Sequence, residues 1–63
     1  MLAKNIGEYL KEHGIKKSWL ANRLDVPVTT LTRIINGYEE MQADMFINIC
    51  MILNVSPETF VNA

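Results

Sequence analysis

The chain has 63 residues, six Lys+Arg against seven Asp+Glu and a formal net charge of −1, enough for one domain (1–63) whose single core lies near the lower size limit for stability without staples. One cysteine excludes an internal disulfide, and with a single histidine beside it no zinc set is credible, so the expectation is a reducing, cytoplasmic setting with no metal and no cofactor. A pI above about 9 is the usual footprint of a nucleic-acid binder. This chain lacks it, and any attraction to phosphates must rest on where its charges lie, because exposed charges act strongly only within about 10 Å.

Leu2, Ile6 and Leu10 recur at a spacing of four, with Tyr9 beside Leu10, and predict a first helix whose opposite face carries Lys4, Glu8, Lys11 and Glu12. Gly14, just after His13, is the expected stop. Gly7 inside that helix costs about 1 kcal/mol relative to alanine, which points to close packing at that position. The N-terminal stretch has acidic residues and no continuous apolar run, so no signal peptide is expected. The longest apolar run, Met45 to Leu53, is broken by Asn48 and too short to cross a bilayer.

Ile15 precedes the second helix and is placed to staple onto Trp19 or Leu20. Lys16 and Lys17 follow at the helix start, where positive charge opposes the helix dipole. A phosphate would offset that placement, since a helix N-terminus and two ammonium groups together attract an anion; the plainer alternative is two solvated lysines. Trp19 lies beside the Leu20 face, and we expect it to cover the end of the first helix near Tyr9 and His13, with DNA or partner contact as the alternative.

Leu20, Ala21 and Leu24 give one apolar face, and Leu31, Ile34 and Ile35 give another. Between them the chain turns at Leu24-Asp25-Val26. Asp tolerates the left-handed conformation such a corner requires. Pro27 stops the first of these helices and its fixed φ suits the start of the next. Ala21 is small enough to let the two helices cross closely, and Val26 plugs the gap between them. Lys17 to Asn36 thus carries a helix-turn-helix signature, in which the second helix can enter the major groove of DNA.

Gly37 ends that helix, and the acidic connection Tyr38-Glu39-Glu40 follows. A fourth helix is predicted from about Ala43 to Leu53, with Phe46, Ile49, Cys50 and Leu53 as its core stripe. Met45, Ile47, Met51 and Ile52 spread apolarity around most of its circumference, as in a helix shared with a neighbour. Ser56 as N-cap, Pro57 at the first helical position and Glu58 in the first turn predict a last helix from Ser56 to about Val61, with Phe60 plugging the core. Met51, Val61 and Ile47 are left over as candidates for a dimer interface.

Residues Ile15 to Phe60 resemble the Cro/repressor-type (lambda-repressor-like, Xre-type) helix-turn-helix family. The resemblance rests on Leu20-Ala21, on Leu24-Asp25-Val26, on Thr29 to Ile34 ending in Asn36-Gly37, and on the tail from Leu53-Asn54-Val55-Ser56 to Phe60. It implies an all-α, compact five-helix domain that binds a palindromic operator through the major groove as a homodimer, as a phage or bacterial transcriptional repressor. If the family geometry holds, Val28, Thr29, Thr32 and Arg33 read bases, while Lys16, Lys17, Thr30 and Asn36 position the DNA through phosphates. Members usually carry Thr or Ser and then Gln where Lys16 and Lys17 stand, Gly at Asp25, Ser at Pro27, and a basic connection in place of Tyr38-Glu39-Glu40. The acidic connection predicts weaker binding, because each lost phosphate contact removes part of the counterion-release term.

Two other readings compete. A helical protein-interaction module, such as an antirepressor or antitoxin-like partner, would suit the acidic balance and the apolar fourth helix. An enzyme is not expected: no Ser, Cys or acid accompanies His13 at triad-like spacing, Cys50 sits on an apolar stripe, and so short a chain offers little pocket. Arg33 has an alternative of its own, a surface salt bridge to Glu39 or Glu40.

Overall fold

In a computed structural model, residues 2–61 are described. They form five helices, α1 (Leu2–Glu12), α2 (Lys17–Leu24), α3 (Val28–Ile35), α4 (Ala43–Leu53) and α5 (Glu58–Val61), the all-α order expected from the sequence. None of these helices is long and apolar enough to cross a membrane.

Four of the five helices end in the same way. The chain enters the left-handed region at Gly14 (φ 65°), Asp25 (φ 60°), Gly37 (φ 85°) and Asn54 (φ 58°). At each, two backbone N–H groups fold back onto the last turn: Asp25 N–H donates to the Asn22 carbonyl at 3.2 Å and Val26 N–H to the Ala21 carbonyl at 3.0 Å. The same pairing recurs at Gly14-Ile15, Gly37-Tyr38 and Asn54-Val55, which satisfies carbonyls that a helix end otherwise leaves open. The residue after each turn is apolar and packs on the core at Ile15, Val26 and Val55. Tyr38 is the exception, 75% exposed, so the exit from α3 is not pinned by a side chain beneath it.

The core gathers Ile6 and Leu10 from α1, Leu20 and Ala21 from α2, Leu31 from α3, Ile49 and Cys50 from α4, and Phe60 from α5. α2 packs on both α3 and α4, and α1 on α3 and α5. Phe60 is held edge-on by Tyr9 (5.4 Å between ring centroids) and Phe46 (6.2 Å), an arrangement that adds to plain area burial. Asn5 Nδ2 donates to the Phe60 carbonyl at 2.7 Å, tying the last helix to the first.

Gly7 of α1 packs closely against Ile35 of α3. A Cβ placed there would lie 2.8 Å from Ile35 Cγ2, which is the close packing its position predicted. Ala21 of α2 is buried in the core, as expected of the small residue where α2 and α3 cross.

Three expectations shift. Pro27 is the N-cap of α3, with an extended ψ of 144°, and the helix begins at Val28. α5 begins at Glu58 rather than Ser56, because the Ser56 carbonyl accepts from Thr59 N–H three residues on, a 3₁₀ turn that delays the α-helical ladder. Trp19 is 46% exposed, with Arg23 stacked over its ring at 5.4 Å. It lines a depression with Gly14, Ile15, Lys16 and Leu53, while the Tyr9 ring instead pairs with His13 at 4.1 Å.

Candidate nucleic-acid interface

α3 is intrinsically a poor helix. Six of its eight residues, VTTLTRII, are β-branched, which lowers helix propensity, and eight residues alone are too few to be stable in water. Burial of Leu31 and Ile34 holds it in place. The corner at Asp25 then fixes the direction in which it leaves α2.

With those two side chains facing inward, helical geometry puts Val28, Thr29, Thr32, Arg33 and Asn36 on the opposite side, at i, i+1, i+4, i+5 and i+8. Val28 (41% exposed), Thr29, Arg33 and Asn36 are open to solvent and Thr32 is half-buried. Thr30 falls outside this face, half-buried on the flank next to Ile34. The β-branched chemistry that weakens the helix stiffens its surface: Val and Thr side chains are restricted at χ1, so little rotamer entropy is lost when they meet a groove. Threonine hydroxyls can bond bases or phosphates, and methyl groups suit the thymine C5-methyl.

Arg33 is not free on this face. Its Nε lies 3.5 Å from Glu39 Oε1, with both side chains about half exposed. The acidic connection therefore reaches back to the cation best suited to guanine, as the salt-bridge alternative anticipated. Such an exposed pair is weak, typically 0–1 kcal/mol, and the guanidinium can leave it for a better acceptor.

Three of the four expected positioning residues divide between two places, Thr30 lying in neither. Lys17 and Asn36 line one groove, whose other wall is α1. Lys16 borders the separate depression beside Trp19. Lys16 is the N-cap of α2, extended at ψ 138° and without a side-chain cap bond, since an ammonium offers no acceptor. The first-turn N–H groups of α2 thus keep their capacity to bind an anion.

Sequence reasoning assigned Lys4 and Lys11 only to a solvated face, yet both line the groove of Lys17 and Asn36. Their i, i+7 spacing was the available signal, because two turns of helix return a side chain to the same face. Cys50 is buried and unpaired, and removal from water pushes its thiol pKa up. Among the described residues no cluster of three or more His, Cys, Asp or Glu could hold a metal.

A short helix-turn-helix with an outward second helix defines a class of DNA-binding domain. The chain belongs to the Cro/C1-type HTH DNA-binding domain family, whose family model matches residues 5–63. Comparison with curated proteins and with solved structures gave no match. Family membership makes this a DNA-binding domain of the regulator kind, in a non-enzymatic family.

Proposed function

We propose that residues 1–63 form a single domain acting as a sequence-specific transcriptional repressor in the bacterial cytoplasm, of host or phage origin, which binds a palindromic operator as a homodimer. The observation that carries this reading is the outer face of α3, open to solvent at Val28, Thr29 and Arg33 and backed by a buried Leu31 and Ile34. In this reading Val28, Thr29, Thr32 and Arg33 meet base edges in the major groove. Lys16, Lys17, Thr30 and Asn36 hold the backbone on either side of it. Ile47, Met51 and Val61, which are 53%, 73% and 62% exposed, supply the contact between copies.

The division of labour is testable on a duplex selected from a random pool by the protein itself, set beside a mixed-sequence duplex. Arg33→Ala is expected to weaken binding to the selected duplex by about 1–3 kcal/mol while changing mixed-sequence binding little. Lys17→Ala is expected to weaken both to the same degree. Equal losses on the two duplexes for both variants would contradict the assignment.

A further inference from the structure

The groove between α1 and the adjacent ends of α2 and α3 concentrates positive charge in a chain that is slightly acidic. Three of the six Lys+Arg side chains, Lys4, Lys11 and Lys17, line it against one carboxylate, Glu8. Among the described residues the one ion pair within 4.0 Å is Arg33–Glu39, so these three ammonium groups are not neutralised by close partners. The floor is apolar, made by Gly7, Leu10, Ile15 and Ile35. Low-dielectric walls beneath charges of one sign focus their field outward into the cleft. Gly7 keeps that floor low, because any side chain there would meet Ile35.

We propose that this groove is a second backbone-binding site, in which Lys4 and Lys11 of α1 receive phosphates of the duplex whose bases face α3. The proposal rests on the DNA-binding reading and adds α1 to it. Asn36 gives the continuity: it belongs to the outer face of α3 and also lines the groove together with Lys17, Lys4 and Lys11, so the surface offered to a strand at α3 continues onto α1. The groove thereby supplies cations that the Tyr38-Glu39-Glu40 connection does not.

The test uses a labelled mixed-sequence duplex, titrated with wild type, Lys4→Ala, Lys11→Ala and Arg23→Gln across about 50 to 200 mM salt. Arg23, stacked on Trp19, removes the same charge away from the groove. Each lysine variant is expected to bind several-fold more weakly at the lowest salt and to lower the magnitude of the log–log salt slope by about 1. The gap to wild type therefore closes as salt rises. Arg23→Gln should keep the wild-type slope, and Glu8→Gln should bind more tightly. All four replaced side chains are exposed, and circular dichroism of each variant reports whether the fold is kept. Wild-type slopes in both lysine variants, with wild type itself binding, would overturn the groove while leaving the DNA-binding reading intact. An equal slope loss in Arg23→Gln would overturn it too, by reducing the effect to net charge. If wild type does not bind the duplex at low salt, the DNA-binding reading fails and the groove falls with it.

Discussion

Arg33 has two acceptors competing for one guanidinium. In the free protein it lies 3.5 Å from Glu39; in the proposed complex it faces a base edge. The turn that ends α3 sets up this competition, because Tyr38 N–H donates to the Arg33 carbonyl at 2.9 Å and so brings the following residue back alongside Arg33. Glu39→Gln removes the competing charge, and tighter binding to duplex DNA, on the order of threefold, is expected for the loss of a weak surface pair. Glu40→Gln is the matched control, with the same change of charge one residue further on. A smaller gain in Glu40→Gln, in fluorescence anisotropy at low salt, supports the pair; equal gains in both would reduce the effect to the general field of the connection.

Among the elements, α3 depends most on its neighbours, since its own sequence disfavours a helix. α1 supports it through the contact of Gly7 with Ile35. Gly7→Ala gains about 1 kcal/mol of helix propensity but forces an overlap at 2.8 Å, and such overpacking costs about 1–3 kcal/mol. The net expectation is a loss of about 1 kcal/mol, lowering Tm by about 4–8 °C in a domain of this size. Adding Ile35→Ala removes the overlapped methyl, so the two substitutions should be non-additive in a thermal-melt cycle. A Tm raised by Gly7→Ala alone would mean that the helices are not in contact there.

Elements were legible in the sequence wherever one residue fixes one local conformation. Asp25 marked the corner, Gly14 and Gly37 the helix ends, and the run Ala43 to Leu53 the fourth helix. The family pattern from Ile15 to Phe60 then implied five helices in this order, all α. What periodicity cannot give is how the ends of different helices meet. It ranks residues around one axis, and on that ranking Lys4 and Lys11 belong to a solvated face; only the crossing of α1 over α3 brings them to Lys17 and Asn36. The same limit explains Lys16 and Lys17, adjacent in sequence yet bordering different depressions, and Trp19, whose wheel position did not reveal Arg23 as its partner. The start of α5 was misplaced because Ser56 and Pro57 carry strong start signals, while the backbone there closes a 3₁₀ turn first.

At the scale of the molecule, size bears on the proposed assembly. The described residues extend 27 × 21 × 20 Å, and half-sites one helical turn apart are centred about 34 Å from each other. Each dimension is smaller than that spacing, so one copy is expected to serve one half-site, and a palindrome calls for two copies. Ile47 and Met51 lie one turn apart on α4 and line a shallow groove with Pro57, whereas Val61 borders a different depression beside Leu2 and Asn5. The α4 pair is thus the stronger basis for contact between copies. Met51→Glu should shift sedimentation from dimer toward monomer, and an unchanged mass would count against α4 as the seam.

The binding expectations depend on the chain meeting DNA through its phosphates despite a net charge of −1. The most direct measurement is the salt dependence of wild-type binding to a duplex. Affinity should fall steeply and linearly on a log–log scale, at about 0.9 per phosphate neutralised, and be higher for a sequence the protein itself selects. Absence of binding at low salt, or binding indifferent to salt, would contradict the account and favour a helical module that recognises another protein.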